Sequence, residues 1–138
     1  MAKKSFGVVA GLAMWITVVT VVGAIMRRSW PAYASVADAM TFTLPMLIAR
    51  LLIGALATLA AGLVTAMIAP RSMLARLMPG ALLLVGFIPV HIMLWDKFPP
   101  WYHLTFLLSL VPLTYLGGRF VRVESVIVPR AVLAQTAR

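Results

Sequence analysis

The sequence predicts an all-α integral membrane protein, a bundle of four transmembrane helices forming one domain over 1–138. Three observations predict it. Of the 138 residues 63% are apolar and 11% charged, with mean hydropathy +1.04, whereas soluble domains are roughly half apolar and a quarter charged. So short a chain has no core able to hide that surface, and the excess must face lipid. The apolar residues fall into four long runs with few charges, the pattern of membrane-crossing helices, and the basic residues gather at the run ends.

The first span is read over 6–26. Lys3 and Lys4 precede it and Arg27 and Arg28 close it, like the charged front of a signal peptide, and Ala32-Tyr33-Ala34 has the small-x-small form of a cleavage site. A run of about 20 apolar residues is longer than a signal core, and two arginines intervene before the cut, so a retained helix is expected. Gly7 and Gly11 form a GxxxG, which predicts a close helix contact. After it, Pro31 suits a helical first turn. A short interfacial helix is therefore expected over 32–40, with Trp30 and Tyr33 at headgroup level. Thr43, ahead of Leu44-Pro45, is the expected N-cap of the second span.

That span, 44–69, is about 39 Å long at 1.5 Å per residue, more than a hydrocarbon core of ~30 Å requires. Arg50, Gly54, Thr58, Gly62 and Ala66 recur every four residues and so share one face. Apart from Arg50 the row is small, as where membrane helices approach closely. Arg50 should thus point into the bundle, its head leaning towards the helix N-terminus. A lone guanidinium about 9 Å inside a span costs at least ~2.5 kcal/mol, so a partner or water is expected. Three readings stay open for it: a snorkelling anchor, a binding or relay group, or half of a structural ion pair.

A basic turn over 70–76 leads to the third span, 77–95, and the fourth is read over 101–118, ending at Gly117-Gly118. The basic tail 119–138 is too polar, and too broken by Pro129, to span; it is expected against the headgroups. With four spans, both termini and the 70–76 turn share one side. That side holds Lys3, Lys4, Arg71, Arg76, Arg119, Arg122, Arg130 and Arg138, while the other holds Arg27, Arg28 and Lys97. The imbalance predicts cytoplasmic termini in a cell membrane, a bacterial inner membrane being the expected setting.

Most of the polar chemistry falls in the stretch 89–103, at the opposite, outer end. His91 and Arg50 lie at similar depth, and a short connection makes the third and fourth spans antiparallel neighbours, bringing His103 to the level of His91. Two imidazoles without cysteine make a poor metal site, and the tight turn keeps the helices too close for bis-histidine haem. No metal or cofactor is therefore expected, and a histidine bonded to a carbonyl or headgroup is the expected state. Asp96 follows the third span near the negative end of its dipole, which calls for a nearby cation; Arg50, Lys97 and the Arg27-Arg28 pair are candidates. An Arg50–His91–Asp96 cluster is expected beneath a belt of Trp95, Phe98, Trp101 and Tyr102. Tyr102, Thr105, Ser109 and Pro112 follow helical spacing, as a packing seam or the wall of a pathway would.

The formal charge of +9 and pI near 11.5 do not imply a nucleic-acid partner. The bases flank apolar runs, where they orient helices and meet anionic lipid, and no basic cluster stands apart with interleaved aromatics. With no cysteine there is no disulfide, thiolate metal site or thiol catalysis. No catalytic constellation is complete. The reading that follows is a non-catalytic accessory or homo-oligomeric membrane component, whose partners are the bilayer and either copies of itself or a larger membrane complex. Two alternatives stand beside it. One is a transporter or channel for an anion or proton using Arg50, His91 and Asp96; the other is a haem- or quinone-linked electron-transfer subunit using His91 and His103.

Overall fold

A computed structural model describes residues 2–121; the expected tail lies outside the described residues apart from its first three positions. The described residues form five α-helices: α1 (Ala2–Ser29), α2 (Pro31–Ala37), α3 (Leu44–Ile68), α4 (Met73–Met93) and α5 (Pro100–Arg119). A single 3-10 turn, Trp95–Lys97, separates α4 from α5. Three helices, α1, α3 and α4, are long and apolar enough to cross a membrane. The expected fourth span is a 20-residue helix of sufficient length, but its Trp, Tyr, His, Pro and Gly residues leave it less apolar than the other three.

Helix ends differ from expectation for local reasons. α4 begins four residues early because Ser72 caps it, its Oγ accepting from the Ala75 N–H at 3.2 Å. Arg76 therefore sits in the first turn of α4 and donates from Nη2 to the Pro70 carbonyl. Thr43 is the N-cap residue of α3 by its extended backbone, yet its side chain makes no capping bond. Proline opens α2 at Pro31, consistent with its fixed φ and missing donor. Met40, at φ 57°, takes the left-handed conformation and turns the chain from α2 into α3.

α3 is the central helix, packed on α1 and α5 and touched by α4. The predicted small row and the adjoining Ala57, Ala61 and Thr65 make this possible. Ala57, Thr58, Ala61, Thr65 and Ala66 are fully or almost fully buried. A Cβ added at Gly62 would fall on the Thr114 carbonyl of α5, with the Thr114 carbonyl carbon at 2.8 Å and Cα at 3.0 Å. On the other side, a Cβ at Gly11 would come within 2.8 Å of the Ala61 carbonyl, and Thr65 Oγ1 reaches the Gly7 carbonyl at 3.1 Å. Backbones this close gain dispersion and side-chain-to-backbone bonds that bulkier residues would prevent.

The same contacts shape the other half of the molecule. α1 is wedged against α3 at Gly7 and Gly11, but a Cβ at Gly23, about three turns later, would meet nothing within 4 Å. α1 thus diverges from the bundle towards the end where α2 sits. α2 folds over that end, packing Tyr33 and Ala37 on Met46 of α3. Between the diverging α1, the helices behind it and α2 a cavity is left.

Candidate ligand cavity at the α2 end

The cavity has a volume of about 300 Å3 and is half open. Trp15, Val19, Gly23 and Met26 of α1 line it, with Arg50, Ile53 and Gly54 of α3, Phe87, Val90 and His91 of α4, Tyr102 and Phe106 of α5, and Tyr33 of α2. Its apolar part is aromatic. Trp15 lies 5.2 Å from Phe87, which meets Phe106 edge-on at 5.2 Å. The Trp15 indole N–H is satisfied by Thr58 Oγ1 at 3.1 Å, and Thr58 donates in turn to the Gly54 carbonyl at 2.7 Å. That chain of bonds keeps the indole upright on the small row and sets the cavity floor.

Arg50 is the cavity's charged group, and it is half-buried. Its Nη1 donates to the Tyr33 hydroxyl at 2.8 Å and its Nε to the Tyr102 hydroxyl at 3.3 Å. The guanidinium carbon also stands 4.7 Å from the centre of the Phe42 ring, within the range of a cation–π contact. Phe42 stacks between Tyr33 at 5.1 Å and Phe98 at 6.0 Å. The arginine is therefore held by neutral aromatics and not by a carboxylate. The expected Arg50–Asp96 contact is not formed: Asp96 is exposed on the 3-10 turn. Among the described residues the one ion pair is Arg27–Asp38 at 3.6 Å, between two exposed side chains. The 3-10 turn accounts for the difference, since it ends α4 at Met93 and swings Asp96 away from the bundle.

His91 and His103 bond to each other, Nδ1 to Nδ1 at 2.7 Å, and not to a carbonyl or headgroup. One ring must donate and the other accept. His103 Nε2 is buried without a partner. A buried bare lone pair is tolerated more readily than an orphaned N–H, and on that ground we assign the proton between the rings to His103 and the His91 proton to Nε2. Two metal–nitrogen bonds at tetrahedral geometry would hold the nitrogens roughly 3.3 Å apart; the pair as placed is a hydrogen bond. No group of three or more metal-ligating side chains occurs among the described residues. His91 stacks on Phe106 at 4.9 Å and His103 on Trp95 at 4.9 Å, so aromatic neighbours also fix both rings.

The expected aromatic belt is split. Trp95 and Trp101 are exposed at 46% and 40%, whereas Phe98 and Tyr102 are buried around Leu47. The stripe on α5 is also divided: Tyr102 faces inward, Thr105 and Pro112 are exposed, and the Ser109 hydroxyl returns to the Phe106 carbonyl at 2.8 Å. Of these four residues Tyr102 alone lines the cavity. Sequence reasoning missed Tyr33, Phe42, Trp15 and Phe106 as site residues. Tyr33 was the one with a signal, a phenol on a short Pro-started helix directly above the buried arginine.

Chemically the site is donor-rich. The guanidinium, two phenols and the His91 N–H surround an aromatic-walled space with no carboxylate, hydroxyl nucleophile or thiol among its lining residues. Such a donor set is complementary to a ligand group that accepts hydrogen bonds. Comparison of the chain with protein-family models, with curated proteins and with solved structures gives no match.

Proposed function

We propose that this chain is a non-catalytic accessory protein of a cell membrane that works by binding a lipid-soluble molecule in the cavity at its α2 end. α5 joins α1, α3 and α4 as the fourth crossing, since its 20 residues give about 30 Å and it packs antiparallel to α4 and parallel to α3, Arg50 meeting Tyr102 and Gly62 meeting Thr114. Both termini are cytoplasmic, on the excess of bases at that end, and the cavity opens in the outer half of the bilayer. The observation that carries the reading is the half-open cavity itself, with one fixed cation at its head and aromatic walls. Ligand sites are typically apolar clefts with a few convergent polar groups.

Tight packing beneath the cavity favours binding over transport. Below Trp15, α3 meets α1 at Gly11 and α5 at Gly62 with no room for a methyl group, and this close packing supports a closed lower half. Self-association or docking to a larger membrane complex remains part of the proposal, through the apolar residues that α1 leaves outward, such as Phe6, Val9 and Ile16.

Native mass spectrometry of the protein released from a mild detergent tests the binding reading. The expected result is a small molecule bound at one per chain, and its loss from Gly23→Trp, which fills the open side of the cavity where an added side chain meets nothing. Identical adducts on both proteins would overturn it.

A further inference from the structure

We infer that the cavity takes a monoanionic carboxylate on a single apolar chain, with the carboxylate on Arg50 and the chain leaving between α1 and α4 past Gly23; this rests on the binding reading above.

Charge selects the head. A guanidinium has five N–H donors, and Arg50 commits one to each tyrosine. Three are left over. Each phenol, already accepting from the arginine, still has its own O–H to give. The head of the cavity therefore offers donors, and the matching ligand group is an acceptor without donors of its own. No carboxylate of the described residues lies within 4 Å of the guanidinium, so its charge is uncompensated in a medium where isolated charge is expensive. A carboxylate supplies one negative charge with geometry suited to the guanidinium. A phosphate monoester, at about −1.5 to −2, would exceed the single cation, and a neutral quinone or alcohol would leave it uncompensated.

Size and exit select the tail. About 300 Å3 is at the lower end of ligand sites, enough for a head and part of one chain but not for a two-chain lipid. Val19, Gly23 and Met26 present one face of α1 to the cavity. Gly23 has open space beside it, and Val90, across on α4, is 41% exposed. Those two residues form the lips of a lateral opening at the depth of the acyl chains, so an apolar tail can pass from the aromatic floor into the bilayer without crossing water.

Equilibrium binding of radiolabelled dodecanoate, dodecanol and dodecyl phosphate to the full chain in phosphatidylcholine nanodiscs, with empty nanodiscs as background, tests this. Saturable dodecanoate binding at one per chain is expected, with dodecanol at least about tenfold weaker and dodecyl phosphate weaker than dodecanoate. Arg50→Gln should weaken dodecanoate about 10- to 100-fold; Gly23→Trp should weaken it while leaving thermal stability unchanged. The probe comparison needs only the unaltered protein, so it decides even if Arg50→Gln does not fold. Equal binding of dodecanol and dodecanoate would overturn the role of charge, and preference for dodecyl phosphate would overturn the carboxylate, in both cases with the binding function intact. Absence of saturable binding by all three, together with identical adducts on the unaltered and Gly23→Trp proteins, would overturn the binding function itself.

Discussion

Gly62→Ala and Gly86→Ala make the same chemical change in two helices and should have opposite effects. A methyl group at Gly86 meets nothing within 4 Å. Replacing glycine by alanine there gains helix propensity, about 0.8–1.0 kcal/mol. At Gly62 the new carbon would overlap the Thr114 carbonyl oxygen and lie 2.8 Å from its carbon and 3.0 Å from Cα. All three are backbone atoms in the middle of α5, so no side chain can rotate away; α3 and α5 must separate. Overpacking costs typically 1–3 kcal/mol, and rigid backbone on both sides points to the upper end. Subtracting the propensity gain leaves a net loss of about 2 kcal/mol at Gly62, and the two variants should differ by about 3 kcal/mol. Reversible unfolding in mixed micelles measures both, and Gly62→Leu should prevent the folded bundle altogether. If Gly62→Ala and Gly86→Ala changed stability equally, α3 and α5 would not cross at this point, and the central position of α3 would fall with that crossing.

Other expectations concern the cavity and the orientation of the chain. Tyr33→Phe should destabilise by about 1.5–3 kcal/mol, because a half-buried guanidinium N–H loses its acceptor. In an Arg50→Met background the same change should cost much less, and additivity within ~0.5 kcal/mol would show that the pair is not coupled. Thr58→Val removes the acceptor of the buried Trp15 N–H and should destabilise by about 1–3 kcal/mol; an unchanged unfolding midpoint would contradict that bond. Cysteine at position 97 should react with an impermeant maleimide in intact cells, and cysteine at position 71, chosen to spare the Ser72 cap, only after permeabilisation. The reverse pattern would place the cavity in the cytoplasmic half of the membrane.

Hydrophobic periodicity determines the helices and their faces, and these were legible. α3 begins at Leu44 as read, and its small row, defined by four-residue spacing alone, is the face that α5 approaches, whereas the glycines of α1 meet the neighbouring Ala61 and Thr65. Loop length likewise announced that His91 and His103 belong to antiparallel neighbours. What periodicity cannot specify is where a short polar-ended segment lands after a turn. Tyr33 reaches Arg50 because α2 folds back over α3 through the left-handed Met40, and Asp96 misses it because a 3-10 turn ends α4 early. By sequence a carboxylate was the better partner for a guanidinium, since opposite charges attract over a longer range than a phenol does. Tertiary structure decided otherwise. The aromatic stack of Tyr33, Phe42 and Phe98 occupies the space around the arginine, and the carboxylate remains exposed. The cavity is a product of the same level: α1 is pinned at Gly7 and Gly11 and free at Gly23, a divergence that follows from which glycines meet a neighbour and not from the glycines themselves.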